Sequence, residues 1–597
     1  MTTTDLTAND VVWDLAPLLP APGDAGVEQL MAAADAKADE LAQFHGRIAE
    51  LDATALVGFM QGMAEVHDLL GRAGSFAGLD FSTDTTDPAR GARMQKVDEQ
   101  SAVIGTKLLF FELEWAELDD ARVEALLADD RMAFASHFLR SARRYRPHLL
   151  SEPEEVVLTE KSVTGATAWQ RLFDEQISAI TVEIDGETTT LEAGLSLLQT
   201  PDREVRQAAA EAVTTGLAPG LRTRAFVLNT LLADKSIDDR MRHYGSWIAS
   251  RNLSNEASDE SVQALVDAVQ GRYAIPQRWY TLKAQLLGID RLADYDRMAS
   301  IGGVESKIGW HQAEDLVLDA YGSFSGELAD TARQFFDNAW IDAAARPGKR
   351  PGAFCAYTVP THHPYLLLNW TARRRDVLTL AHELGHGLHA YLARAQGVFH
   401  QTTPLTLAET ASVFGETVTF GRLLETVTDP AERLTLLASN LEDQIATVFR
   451  QIAMNRFEHA MHTARREEGE LSIERLGELW AETQTAMLGD SVELTPGYLT
   501  WWSYIPHFIG TPGYVYAYAY GQLLALSVYA RYEEEGSGFV PRYLDLLRAG
   551  GSKSPEELGQ MVGIDLADPQ FWDRGLDIIE RRLDATIEAA TAAGRLA

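Results

Sequence analysis

Residues 376–389 read DVLTLAHELGHGLH and contain an HExxH motif, formed by His382, Glu383 and His386. The surrounding pattern is helical from about Asp376 to Ala395. At ~100° per residue, histidines four positions apart lie about 40° apart around a helix, so both rings can reach one ion. The apolar residues around the motif would bury both histidine rings beside a carboxylate. Without a bound metal, this burial would bring no evident gain in packing. The stretch therefore predicts a metal-binding helix rather than one whose histidines merely pack.

Glu383 falls beside the same helix face, where its carboxylate can accept a proton from a water molecule that the metal activates. This is the general-base arrangement of zinc peptidases. The longer motif with a glycine and a third histidine is absent, because His389 and Leu392 occupy those two positions. A third metal ligand must therefore come from elsewhere in the chain.

The best candidate for the third ligand is Glu409, in a second predicted helix with the sequence LAETASVFGE at residues 407–416. Glu416 lies seven residues further on and so shares a face with Glu409. An ordinary helix glutamate is the alternative for Glu409, whereas we favour a supporting role for Glu416. Asp376 could orient a ligand histidine, but capping of the helix is the favoured alternative.

A segment rich in polar-tipped aromatic residues, WWSYIPHFIGTPGYVYAYAY, occupies residues 501–520. Such a stripe usually belongs to a core, but histidine and tyrosine can also donate hydrogen bonds to the oxyanion that forms during peptide hydrolysis. Three other segments are weaker candidates. Glu458 and His462 are expected on a solvated or packing face, His362-His363 in a cleft or surface loop, and Cys355 as a small half-buried residue.

The rest of the chain is mainly helical in pattern. Residues 181–191 alternate around Asp185-Gly186 and predict a short hairpin, and residues 364–370 (PYLLLNW) predict a strand. With the hairpin as boundary, we expect an N-terminal helical lobe over residues 1–200 and a catalytic domain over residues 201–597.

Composition narrows the function further. The 597 residues include 52 Lys and Arg against 87 Asp and Glu, and the net charge of −35 disfavours nucleic acid or an anionic membrane as a partner. One cysteine excludes an intrachain disulfide and any cysteine-based metal cluster. The first 36 residues lack Lys and Arg, unlike a secretory signal, and no apolar run is long enough for a membrane helix. We expect a cytoplasmic protein.

The motifs occur together in one family. The sequence resembles the M3 oligopeptidases, and within them the oligoendopeptidase F-like branch, from about residue 110 and most densely from Gly352 to Ala530. The segments that carry this resemblance are residues 364–370, residues 376–386, AETAS at 408–412, IPHF at 505–508 and YVYAY at 514–518.

The resemblance implies a mainly helical, two-lobed fold that encloses a deep substrate channel, with a few short strands near the zinc site. It also implies one zinc ion and a set of roles. The expected ligands are His382, His386 and Glu409, the expected general base is Glu383, and the residues expected to face the scissile carbonyl group are His507 and Tyr514. Tyr518 is our choice for a second catalytic tyrosine, with Tyr516 and Tyr520 left open.

The implied activity is zinc-dependent endopeptidase cleavage of short, unstructured oligopeptides. The alternatives are a metallocarboxypeptidase on a similar helical scaffold and a catalytically silent peptide-binding protein. Loss of Glu383 or of a ligand would indicate the silent protein, and none is lost. We also expect an extended substrate to pair with a free edge of the strand Tyr365–Trp370. The sequence predicts no oligomeric state.

Overall fold

The computed structural model describes residues 3–184, 186–302 and 307–596. α-Helices account for most of these residues, so the predicted mainly helical fold is confirmed. The helices, in chain order, are α1 (Thr3–Thr7), α2 (Asp24–Ala42), α3 (Ala53–Thr83), α4 (Pro88–Thr106), α5 (Phe110–Glu117), α6 (Asp120–Leu127), α7 (Ser136–Arg143), α8 (Glu152–Ser162), α9 (Ala166–Ser178), α10 (Leu191–Ser196), α11 (Arg203–Leu217), α12 (Leu221–Met241), α13 (Ala249–Ser254), α14 (Asp259–Gly271), α15 (Ala274–Leu287), α16 (Trp310–Phe324), α17 (Gly326–Asp337), α18 (Arg374–Ala393), α19 (Leu405–Thr426), α20 (Pro430–Ile445), α21 (Gln451–Glu468), α22 (Ile473–Leu488), α23 (His507–Gly510), α24 (Tyr516–Glu535), α25 (Val540–Ala549), α26 (Pro555–Met561) and α27 (Pro569–Ala592).

Many of these helices begin at side-chain caps that the local sequence supplies. The Asp52 carboxylate accepts a hydrogen bond from the Ala55 backbone N–H at the start of α3. At the start of α26, Ser554 and Glu557 form a capping box around Pro555, as the sequence predicts. Such caps satisfy backbone N–H groups that have no partner within the helix.

The strands are short: β1 (Thr181–Ile184), β2 (Glu187–Thr190), β3 (Leu292–Ala293), β4 (Ile341–Ala344), β5 (Phe354–Ala356), β6 (Tyr365–Trp370) and β7 (Val492–Glu493). β1 and β2 pair in antiparallel register, which confirms the predicted hairpin, although Asp185 at its turn lies outside the described residues. β3 pairs with β7 in parallel.

The predicted strand β6 forms, but its predicted free edge is wrong. β6 is the central strand of a three-stranded sheet, parallel to β4 on one side and antiparallel to β5 on the other. Both rows of backbone groups on β6 therefore face a neighbouring strand, which excludes the addition of a substrate strand there. Within the described residues, no further strand pairs with the outer edge of β5.

Contacts between Cα atoms divide the chain into two compact units, each assembled from three segments. One comprises residues 1–146, 305–426 and 528–565, and the other comprises residues 147–304, 427–527 and 566–597. Each has its own apolar core, which includes Phe59, Phe111 and Trp115 in the first unit and Phe457 and Trp480 in the second. The predicted domain boundary at residue 200 divides the chain in sequence order, and it stays a prediction. Among the described helices, none is both long and apolar enough to cross a bilayer.

Candidate active site

Helix α18 carries the HExxH motif, and its first turn is fixed by Asp376. The Asp376 carboxylate accepts hydrogen bonds from the backbone N–H groups of Thr371 (2.7 Å) and Arg373 (3.1 Å). Of the two roles considered for Asp376, the structure therefore shows the capping role. The observed helix, Arg374–Ala393, agrees within two residues with the predicted bounds.

Glycines allow α18 and α19 to approach closely. A Cβ atom added to Gly385 would lie 2.6 Å from the Ser412 Cα atom and closer still to the Ala411 carbonyl oxygen. Gly415 of α19 packs equally tightly against the Tyr321 hydroxyl, which donates a hydrogen bond to the Ala381 carbonyl group of α18 (2.9 Å). This close packing brings the carboxylates of α19 opposite the histidines of α18.

His382, His386 and Glu409 meet at this helix contact. One ligand atom from each lies within 4.8 Å of the other two. A carboxyl oxygen of Glu409 is 3.3 Å from His382 Nε2 and 3.6 Å from His386 Nε2. Two imidazole nitrogens and one carboxylate oxygen are a donor set that fits a zinc-type cation and leaves coordination positions open.

Two further residues of α19 hold these groups in place. The Ser412 hydroxyl donates a 2.6 Å hydrogen bond to the Glu409 carboxylate. His382 Nδ1 lies 3.3 Å from the Glu416 carboxylate, which can accept the Nδ1 proton and leave Nε2 free to bind a cation. The spacing of Glu416 from Glu409 predicts this supporting role. Ser412 was missed, although its position three residues after Glu409 places it on the same face.

Burial and neighbouring charges shift the pKa values of the two central groups. For His382, burial lowers the pKa, but the Glu416 hydrogen bond and the nearby Glu409 charge outweigh this effect and raise it to about 9. Burial raises the pKa of Glu383 to about 7, although the adjacent His382 charge opposes the shift. A carboxyl group that titrates near neutral pH is suited both to accept and to release a proton.

Strand β5 contacts Glu383 through its backbone, because the Cys355 N–H group donates a hydrogen bond to the carboxylate. Cys355 itself is half-buried, as predicted, and burial raises the pKa of its thiol. The neighbouring histidine pair has packing roles in the structure. The His362 ring lies 2.9 Å from the Pro17 carbonyl oxygen, and the His363 ring stacks on Trp340 with centroids 4.0 Å apart.

The aromatic segment forms a second cluster. His507 Nε2 lies 3.2 Å from the Tyr518 hydroxyl, and the Tyr514 ring centroid is 6.1 Å from that of His507 and 5.1 Å from that of Tyr518. Tyr516 and Tyr520 are fully buried, and the Tyr516 hydroxyl accepts a hydrogen bond from Asn255 (2.9 Å). The structure thus groups Tyr518, and not its two alternatives, with His507 and Tyr514.

Glu458 and His462 lie inside the protein, so of the two environments considered for them, packing is observed. Both side chains are at most 2% exposed. The His462 ring stacks on Trp247 with centroids 4.6 Å apart. Burial lowers the pKa of His462 to about 3 and raises that of Glu458 to about 8.

Comparison with known proteins agrees with this geometry. The model of peptidase family M3 matches residues 324–578, and the oligopeptidase F model matches residues 114–181. Oligopeptidase PepF of Bacillus subtilis is 27% identical over 557 residues, which cover 91% of this chain and 82% of that protein. The chain belongs to peptidase family M3. This M3 protein is accordingly a metalloendopeptidase that requires a metal cofactor and acts on peptides.

Solved structures agree on the fold of the M3 protein. Oligoendopeptidase-F from Enterococcus faecium matches with a TM-score of 0.71 at 23% identity, over 95% of this chain and all of the other. A protein of Chlamydophila abortus matches with a TM-score of 0.86 at 22% identity, over 97% of this chain and 98% of the other. At these identities the likeness concerns the fold alone.

Proposed function

We propose that this M3 peptidase is a zinc endopeptidase of short oligopeptides, in which His382, His386 and Glu409 hold one zinc ion. The observation that carries the proposal is the convergence of these three donors beside the buried carboxylate of Glu383. When bound, zinc supplies Lewis acidity that makes water acidic enough to lose a proton near neutral pH. Ser412 and Glu416 support the ligands by hydrogen bonds.

Glu383 is the proposed proton carrier. Its carboxylate takes the proton of the attacking water and then delivers a proton to the amine that leaves. Burial raises the pKa of Glu383 above the ordinary value of a carboxyl group, which favours the uptake of a proton by this side chain. The hydrogen bond from the Cys355 N–H fixes one carboxyl oxygen and so orients the other.

His507, Tyr514 and Tyr518 are the proposed donors to the oxyanion of the transition state. Their mutual distances support joint action, and the tyrosine hydroxyls can donate without carrying charge. Burial lowers the pKa of His507, which favours a neutral imidazole that can donate through one ring nitrogen. Tyr514→Phe should therefore lower kcat by ~10–10³-fold with little change in KM.

The outer edge of β5 is the proposed binding surface for an extended peptide. The Cys355 N–H on this edge already donates to Glu383, so a peptide bound here would pair with the remaining backbone groups of the edge and would run beside the proposed base. Backbone pairing tolerates many sequences but requires an unfolded segment. We therefore expect unstructured oligopeptides as substrates, in keeping with the name oligopeptidase borne by the Bacillus subtilis relative.

We also propose that the enzyme acts in the cytoplasm without a nucleic-acid partner. The net charge of −35 supports the second point, and the single cysteine fits a reducing compartment. Cell fractionation with activity measurements tests the location.

The deciding experiment is mass spectrometry of the cuts made in a library of peptides blocked at both termini, with wild type and Glu383→Gln compared after zinc loading. We expect internal cuts by the wild type only. Cuts confined to unblocked C-termini would instead indicate a carboxypeptidase. One peptide offered both free and as an ordered segment of a stable protein tests the need for an unfolded chain, and equal cleavage of both would contradict it.

A further inference from the structure

The loop that precedes Tyr514 connects α23 to α24 and is built on Gly513. This glycine has a φ of +75°, a left-handed conformation that residues with a side chain rarely adopt. Gly513 is buried, so its backbone N–H group needs a hydrogen-bond acceptor inside the protein. The residue that follows it is the proposed oxyanion donor.

The acceptor is the side chain of Glu458, which comes from α21. Glu458 Oε1 accepts a 2.8 Å hydrogen bond from the Gly513 N–H, and the side chain is 0% exposed. Its second carboxyl oxygen has no hydrogen-bond partner among the described residues. A buried carboxyl group with one oxygen unsatisfied costs folding free energy, so packing alone does not explain a glutamate at this position.

A second support reaches the same loop from α13. Arg251 Nε donates a 3.2 Å hydrogen bond to the Pro512 carbonyl oxygen. The Arg251 side chain also lies against Gly513, because a Cβ atom added to that glycine would be 3.3 Å from Arg251 Cβ. Two helices therefore hold the carbonyl and the N–H of the same peptide unit, Pro512–Gly513, immediately before Tyr514.

We propose that Glu458 is a positioning residue for catalysis, which sets the place of the Tyr514 hydroxyl through its hydrogen bond to Gly513, with Arg251 as a second support. This inference rests on the proposed role of Tyr514 in the reaction. Without Glu458, the Gly513 N–H would lose its acceptor, and the loop would move to find another. Misplacement of a catalytic group by about 1 Å can cost ~10²-fold in rate.

The protonation state of Glu458 suggests the conservative variant. Burial raises its pKa to about 8, so at neutral pH the group is mostly the uncharged acid. Glutamine has nearly the same shape and also offers a carbonyl oxygen to the Gly513 N–H. Methionine has a similar length but no comparable acceptor, so the two substitutions separate the hydrogen bond from the volume.

The test measures kcat and KM of zinc-loaded Glu458→Met and Glu458→Gln on a blocked fluorogenic peptide, with circular dichroism and Tm to verify folding. We expect Glu458→Met to lose ~10–100-fold in kcat with little change in KM, and Glu458→Gln to retain most of its kcat. His462→Phe is the matched control. It lies one turn further along α21, is equally buried and has no hydrogen bond to the loop among the described residues, so kcat should not change.

A double-mutant cycle with Tyr514→Phe shows whether Glu458 acts through Tyr514. In the Tyr514→Phe background, Glu458→Met should cost little more, because the hydroxyl it positions is already absent. A folded Glu458→Met enzyme with wild-type kcat would overturn the inference, and so would an undiminished loss in the Tyr514→Phe background. Both results would leave the proposed function intact.

Two other outcomes also decide whether the inference about Glu458 stands. If Tyr514→Phe alone has wild-type kcat, the proposed role of Tyr514 is wrong, and the inference is overturned with it. If Glu458→Met does not fold, Arg251→Met provides the same cycle from a half-buried position. We expect a smaller loss of kcat that again disappears in the Tyr514→Phe background, and wild-type kcat for Arg251→Met would then overturn the inference.

Discussion

The contact between α18 and α19 predicts that Gly385→Ala disrupts the metal site without touching any ligand. The added Cβ atom would lie 2.6 Å from the Ser412 Cα atom, whereas real Cβ contacts are essentially never under 3.0 Å. Both the Ser412 Cα atom and the nearby Ala411 carbonyl group belong to the backbone of α19, so no side-chain rotation can relieve the contact. The helices must separate, or the substitution must strain them.

The size of the effect follows from the same distances. Relief of the Ser412 contact alone requires a shift of about 0.4 Å (3.0 minus 2.6), and about 0.8 Å to reach ordinary van der Waals contact at 3.4 Å. The closer Ala411 carbonyl oxygen requires a larger shift than the Ser412 Cα atom. Metal sites tolerate deviations of only ~0.2 Å in ligand distance. Because Glu409 moves with α19 while His382 and His386 remain on α18, we expect zinc affinity to fall ~10–100-fold. Overpacking should also cost ~1–3 kcal/mol of stability.

Zinc affinity is best measured by competition with a chromophoric chelator, and stability by urea unfolding of the metal-free protein. The matched control is Gly421→Ala, also on α19, where an added Cβ atom meets nothing within 4 Å. That substitution should leave zinc affinity unchanged and stabilise the helix by ~0.5–1 kcal/mol. If Gly385→Ala binds zinc and unfolds like the wild type, the close approach of the helices does not set the ligand geometry.

Three further predictions concern single side chains. Glu383→Gln should retain zinc, as measured by metal analysis, but lose at least ~10³-fold in kcat, and near-normal turnover would refute its role as the base. Ser412→Ala should weaken zinc binding ~10–100-fold in the chelator assay, because Glu409 loses the hydrogen bond that orients its carboxylate, whereas unchanged affinity would make Ser412 a packing residue only. Folded His462 has a pKa of about 3 against 6.5 for the free side chain, so the unfolded state takes up the proton first and stability falls as the pH drops below about 6.5. Between about pH 6.5 and pH 5, this loss in the free energy of unfolding is about 2 kcal/mol. His462→Phe should reduce the loss, as measured by urea unfolding. An unaltered pH dependence would refute the assignment of the low pKa to His462.

Local sequence patterns predict the helices and part of the site. The HExxH spacing fixes His382 and His386 on one face, and the seven-residue spacing of Glu409 and Glu416 fixes both carboxylates on another. These relations depend only on helix periodicity, which the sequence reveals. Which two faces meet depends on the glycines at the contact, whose role becomes visible only when the opposing backbone is known.

The sheet shows where local patterns fail. The apolar run of β6 predicts a strand, but β4 and β5 are four and three residues long and lack a clear alternating pattern. Without its two partners, β6 has two free edges, and a substrate could be assigned to either. Partners on both sides leave the substrate only an outer strand, so the prediction failed because strand pairing is not local.

The tyrosines of residues 514–520 show a different limit of sequence-based prediction. They occupy every second position, a spacing that fits either one face of a strand or two sides of a helix. Once α24 begins at Tyr516, tyrosines four residues apart share a side. Tyr516 and Tyr520 therefore share the side that turns into the core, whereas Tyr518 lies on another side, where its ring contacts Tyr514, which precedes the helix. The choice of Tyr518 over its neighbours thus depends on where the helix starts, which the sequence leaves undetermined.

Residues that position others are the hardest to predict, for a reason that Glu458 illustrates. A metal ligand or a base is recognised by its own chemistry and by the spacing of similar groups near it in the sequence. Glu458 instead bonds a backbone N–H group 55 positions away, and a backbone group has no sequence signature. Its burial without a salt bridge to any described residue is the physical sign of such a role, because a buried carboxyl group is costly unless a specific hydrogen bond offsets the cost. Buried polar side chains that bond the backbone beside a reactive residue are therefore the places to look for positioning residues in this peptidase.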